Sequence, residues 1–94
     1  MIPKSLIWYL LAGSRGGESR ARIVKALRER PYNANQLAEF LGLDYKTVRH
    51  HLKVLEDNGV IVFAKRMKYG SVYVLSEEME SVFEELRGIW DKIG

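Results

Sequence analysis

The sequence predicts a mainly α domain with a small β-hairpin, its elements in the order α-α-α-α-β-β-α. Three observations carry that expectation. Between Leu41 and Ile61 a glycine turn leads into a capped helix that stops at Asn58-Gly59. Two β-rich runs follow, residues 60–64 (VIVFA) and 71–75 (SVYVL), separated by a short polar connection. Apart from these, apolar residues recur three and four apart, as one face of a helix requires.

The chain has 94 residues, enough for one domain over 1–94 and not for a second core. Its 47% hydrophobic and 29% charged residues suit a packed globular protein. Cysteine is absent, which excludes disulfides and thiolate metal sites and makes a cytoplasmic setting the expectation. The net charge of +3 is unevenly spread: +5 over residues 1–30, +2 over 31–75 and −4 over 76–94. That suits a front that faces a polyanion and a back that faces something else. Ile2–Ala12 loosely resembles a signal peptide, but its apolar run, Leu6 to Leu11, spans only about six residues. This is below the roughly 7–15 of such segments and far below the roughly 20 that span a bilayer. It reads as a packing or dimer helix, with no membrane role expected.

Taken in order, Gly13-Ser14-Arg15-Gly16-Gly17 separates that first helix from a second over about Ser19–Arg30, which turns Ile23, Val24, Ala26 and Leu27 inward and ends at Pro31. Asn33 and Gln36 have capping-box spacing and open a short third helix whose inner face is Leu37, Ala38 and Leu41, closed by Gly42. Asp44 caps the fourth helix, where Leu43 and Val48 stand at staple spacing and Val48, Leu52 and Leu55 form one buried stripe. Gly59 in a left-handed conformation would end that helix in a Schellman turn that brings Val60 back towards Leu55. Lys65-Arg66-Met67-Lys68-Tyr69-Gly70 reads as the connection of the hairpin. Ser76 caps a last helix with Glu77, Glu78 and Glu80 in its first turn and a continuous apolar stripe behind.

Two short helices across a glycine turn form a helix-turn-helix unit, and a basic hairpin after them makes it a winged helix. With Val48, Leu52 and Leu55 inward, the free side of the fourth helix carries Tyr45, Lys46, Thr47, Arg49, His50 and Lys53. These cations and hydrogen-bonding groups suit the major groove of double-stranded DNA, with helix 44–58 as the reading helix. Arg49 is the leading candidate for base reading, since its planar fork can donate twice to guanine. Tyr45 and Lys46 are placed to meet base edges or phosphates, and Thr47 to touch phosphate or serve the cap. His50 points outward with Arg49. His51 lies near the inner edge and reads as mostly structural, bonded to a neighbouring backbone group. As a metal pair the two histidines are poor, because adjacent helical positions diverge by about 100°. Lys65, Arg66 and Lys68 of the wing, residues 65–70, are expected on phosphates or in a minor groove. Arg20, Arg22, Lys25 and Arg28 make the second helix basic, several of them expected to pair with nearby carboxylates.

The sequence also resembles the ArsR-type, arsenic-repressor-like winged-helix transcription regulators, especially cysteine-free archaeal versions. The resemblance rests on Arg22-Ile23-Val24 to Leu27, on Gln36-Leu37-Ala38 to Leu41-Gly42-Leu43, and on Thr47-Val48 to His51-Leu52-Lys53-Val54-Leu55 followed by Gly59-Val60, and it covers about residues 19–75. It implies a homodimer packed through the first and last helices, 1–13 and 76–94. The residues agree: Leu6, Ile7, Trp8, Leu10, Leu11, Met79, Val82, Phe83, Leu86, Ile89, Trp90 and Ile93 offer more apolar surface than one small core should absorb. Metal-sensing members carry a cysteine pair on the third helix, or His and carboxylate ligands on the last. Here those places read QLAEFL and a helix without histidine, so no metal, cofactor or effector is evident. The leading expectation is a sequence-specific, dimeric DNA-binding transcription regulator; the alternative is a winged helix serving protein–protein interaction within a transcription or replication assembly. An enzyme is a poor third, since no phosphate loop or spaced catalytic group is present.

Overall fold

The computed structural model describes residues 2–67 and 70–85, apart from the side chains of residues 65–67, 70 and 71. It has the predicted winged helix-turn-helix architecture. Helices α1 (Lys4–Trp8), α2 (Gly17–Glu29), α3 (Ala34–Leu41) and α4 (Tyr45–Asp57) precede strands β1 (Ile61–Met67) and β2 (Gly70–Leu75), and α5 (Glu77–Glu85) follows.

The first helix is not uniform. After Trp8 it widens into a π-helical turn over Tyr9–Gly13, which buries Leu10 and Leu11 while Trp8 and Tyr9 stay exposed. Helix α2 begins two residues before the expected Ser19, behind the left-handed Gly16. Its expected inner residues, Ile23, Val24, Ala26 and Leu27, are all buried.

Local sequence dictates the helix-turn-helix. Asn33 Oδ1 accepts the Gln36 N–H at 2.8 Å and Gln36 Oε1 accepts the Asn33 N–H at 2.9 Å, a complete capping box. At the other end of α3 the Leu43 N–H reaches the Ala38 carbonyl (3.0 Å) and the Gly42 N–H reaches Glu39 (3.4 Å), the paired bonds of a Schellman turn. Such a turn needs a left-handed residue at its centre, and Gly42 supplies it at φ 67°. Helix α4 ends the same way, with Val60 N–H to Leu55 O at 2.9 Å and Gly59 N–H to Glu56 O at 3.0 Å.

The hairpin is longer than expected. Residues 65–70 read as a connection, yet Lys65 pairs with Val72, Arg66 with Ser71 and Met67 with Gly70. Below them Ile61 pairs with Leu75, Val62 with Val74 and Phe63 with Tyr73, and the register shift between Phe63 and Lys65 makes Ala64 a bulge. A third chain segment joins the sheet. Tyr32 and Tyr73 exchange both backbone hydrogen bonds, at 3.3 and 2.8 Å, so the residue after Pro31 forms a one-residue bridge on the free edge of β2. That bridge docks the wing onto the α2–α3 junction.

The core gathers Ile23, Val24 and Leu27 of α2, Leu37 of α3, Val48, Leu52 and Leu55 of α4, Val60, Ile61 and Leu75 of the hairpin and Met79 and Phe83 of α5, with Ile7, Leu10 and Leu11 closing it. Each such aliphatic side chain contributes about 1.5–3 kcal/mol by leaving water. Ser76 Oγ accepts the Met79 N–H at 3.1 Å and starts α5 as expected. None of the described helices is long and apolar enough to cross a membrane.

Candidate nucleic-acid interface

The α4 helix is held at both ends and along one side. Asp44 Oδ2 accepts the Thr47 N–H at 3.2 Å, the Schellman turn closes the far end, and Val48, Leu52 and Leu55 are almost fully buried. Tyr45, Lys46, Thr47, Arg49, His50 and Lys53, the six residues assigned to the DNA side, are all exposed. They do not all point one way. At about 100° per residue, Lys46, His50 and Lys53 cluster furthest from the buried stripe, whereas Tyr45 and Arg49 lie closer to its edge. Lys53 forms an i,i+4 ion pair with Asp57 at 3.2 Å, an exposed pair that a phosphate can displace at little cost.

His51 lies on the inner side, 6% exposed, which places it with structure as its spacing suggested. Its partner is different from the one expected. Nδ1 lies 3.3 Å from Nη1 of Arg20, not against a backbone group. Since a guanidinium only donates, the ring must accept at Nδ1 and carry its proton on Nε2. Burial lowers the His51 pKa below its ordinary 6.5, and the charges of Arg20 and His50 push the same way. The His50 ring tilts against it at 5.5 Å between centroids. Among the described residues, no three His, Asp or Glu side chains gather as a metal site requires.

Arg20, one of the four residues that make α2 basic, is not at the surface. It is 5% exposed, and its Nε donates to the Leu10 carbonyl at 2.7 Å while Nη2 donates to Ser14 Oγ and to the Arg15 carbonyl. The signal for its burial was in the sequence, because Arg20 lies three before Ile23 and four before Val24, on the apolar stripe. Arg22 reaches the Leu41 carbonyl at 2.7 Å and so caps α3, while Arg28 lies over the Phe83 ring at 3.8 Å. Each binds something other than the carboxylates expected.

On the wing, backbone pairing carries Lys65 and Arg66 out along β1; their side chains, and Lys68, lie outside the described residues. Of the side chains assigned to a dimer interface, Ile7, Leu10, Leu11, Met79 and Phe83 are buried within this chain. That corrects their assignment: one chain's core does absorb them, because α1 and α5 fold back on it. Leu6 and Val82 are half-buried and Trp8 is 41% exposed, so these three remain at the surface. Leu86, Ile89, Trp90 and Ile93 lie outside the described residues.

Comparison with known proteins agrees with this geometry. Residues 17–62 match the model of the bacterial regulatory proteins of the arsR family. No curated protein sequence matches. Among solved structures, Rv0081 of M. tuberculosis superposes with a TM-score of 0.76 at 22% identity, covering 96% of this chain and 87% of that one. The transcriptional repressor BigR from Xylella fastidiosa gives 0.75 at 21% identity over 92% and 81% of the two chains. The reduced form of the transcriptional regulator YodB from B. subtilis gives 0.69 at 23% identity over 98% and 93%. The segment that holds α2, the helix-turn-helix and the root of the wing thus belongs to the arsR family of regulatory proteins, DNA-binding transcription regulators of the winged-helix type.

Proposed function

We propose that the chain is a sequence-specific reader of double-stranded DNA that acts as a homodimer and controls transcription. Helix α4 lies in the major groove, with Arg49 on base edges, Tyr45 on base edges or nearby phosphates, and Lys46, Thr47, His50 and Lys53 on the walls of the groove. Lys65, Arg66 and Lys68 lie on the backbone or in the minor groove. The observation that carries this reading is the state of α4: capped at one end, Schellman-closed at the other and pinned along its buried side, it holds a fixed backbone from which a row of exposed donors projects. A fixed backbone suits base recognition because only the side chains lose freedom on binding. The dimer uses Leu6, Trp8 and Val82 on the described surface, continued by Leu86, Ile89, Trp90 and Ile93. A two-fold pair sets its reading helices about 34 Å apart, on a pseudo-palindromic site.

Selecting bound duplexes from a random library at two salt concentrations, with the native mass measured alongside, tests this. A two-fold-symmetric site and twice the chain mass are expected. Failure of every duplex to shift even at low salt overturns the reading.

A further inference from the structure

The hairpin leaves one large aromatic ring uncovered beside the reading helix. Ile61 pairs with Leu75 and Phe63 with Tyr73, and residues two apart on a strand share a face, so these four stand on the same face of the sheet. Ile61, Leu75 and Tyr73 are buried there as part of the core, whereas Phe63 is 43% exposed. This is the face turned to the helices, with β1 packed along α4 and β2 along α2. Phe63 is therefore the point at which the core face of the sheet emerges from under α4. It stands one residue before the bulge at Ala64 and the basic stretch that opens with Lys65. Tyr73 backs the ring on its inner side: the two rings lie 4.8 Å apart, and the backbone of Tyr73 is bonded to Tyr32. The free side of the Phe63 ring thus faces away from the core.

A phenyl ring offers neither donor nor acceptor. Pressed against phosphates or the polar edges of bases, it would strip water from them and return no hydrogen bond. The major groove holds one apolar group, the C5 methyl of thymine, and phenylalanine is among the side chains that suit it. The ring is continuous with the exposed cations of α4 on one side and with Lys65-Arg66 of the sequence on the other, which favours DNA as its occupant. We propose that Phe63 is a specificity-determining residue that covers a thymine methyl at the wing-side edge of the α4 footprint, so that the strand reads a base beside those read by the helix. This rests on the reading of α4 as a groove reader.

The test uses the whole chain and a duplex selected from a random library. Each thymine of one half-site is replaced in turn by uracil, which lacks only the methyl, and affinities are measured by fluorescence anisotropy. At one thymine the change should weaken binding about fourfold, the effect of one buried methyl group. In Phe63→Ala that penalty should vanish while penalties at other thymines stay. Phe63→Gln keeps a stem over Tyr73 and gives the same comparison if the alanine variant does not fold. A ring that only braces the hairpin would lower the urea midpoint and weaken thymine and uracil duplexes alike. That result overturns the proposal, as does a set of uracil penalties that all survive the loss of Phe63, or a selected half-site without thymine. If Arg49→Ala lowers discrimination between duplexes while no uracil penalty depends on Phe63, this inference alone fails. If no duplex shifts at all, the reading of α4 fails and this inference with it.

Discussion

Arg20 and His51 make a polar joint inside an apolar core. One guanidinium is satisfied by two carbonyls, a hydroxyl and a ring nitrogen, and it links the π-helical turn, the loop before α2 and the reading helix. Removing it leaves the Leu10 carbonyl and His51 Nδ1 buried without their donor, so Arg20→Ala should cost about 2–3 kcal/mol in urea unfolding. The joint is also sensitive to acid. His51 is neutral in the folded chain and its pKa is lowered, so below pH 6.5 the unfolded chain takes up a proton that the folded chain resists. Stability should therefore be full above pH 6.5, fall as the pH drops towards the lower folded value, and level off beneath it. Urea midpoints across this window should show the fall in the parent chain and a weaker one in His51→Gln. Equal slopes in the two would remove His51 as the cause.

At the scale of elements, the helix-turn-helix is built from local signals that agree. Capping box, glycine turn and Asp44 cap were all legible, because each depends on residues within one or two turns. Two glycines with left-handed backbone make a graded test of what surrounds them. At Gly42 an added Cβ meets nothing within 4 Å, so Gly42→Ala should cost only the left-handed penalty, about 1–2 kcal/mol. At Gly16 the same atom would come within 2.8 Å of His51 Cε1 and 3.2 Å of Arg20 Nη1. Gly16→Ala should therefore cost about 1–3 kcal/mol more than Gly42→Ala. Thermal unfolding of the two variants compares them directly, and an equal loss would mean that the joint yields freely. The wing was less legible. A basic, glycine-ended stretch reads as a turn, and only its pairing with β2 shows that most of it is strand.

For the molecule as a whole, the basic front and acidic last helix predict steep salt dependence, since each neutralised phosphate releases counterions. The logarithm of affinity should fall linearly with the logarithm of salt concentration, and Lys46→Ala should lower that slope by about 0.9 if Lys46 meets a phosphate. An unchanged slope would move Lys46 off the backbone. Discrimination between duplexes should survive this change, unlike that in Arg49→Ala.

Patterns of short range settled much of this protein in advance: the order of its elements, the caps, the inner stripe of α4, and the exposure of Tyr45, Lys46, Thr47, Arg49, His50 and Lys53. Helical period and capping act over a few residues, so the chain states them directly. Tertiary structure alone decided which partner each polar group finds. It brought Arg20 to His51 across 31 positions and Tyr32 to Tyr73 across the sheet edge. It also turned Ile7, Leu10, Leu11, Met79 and Phe83 into the chain's own core. A buried donor must find an acceptor wherever the fold presents one, and an apolar stripe is the same whether it meets its own chain or another.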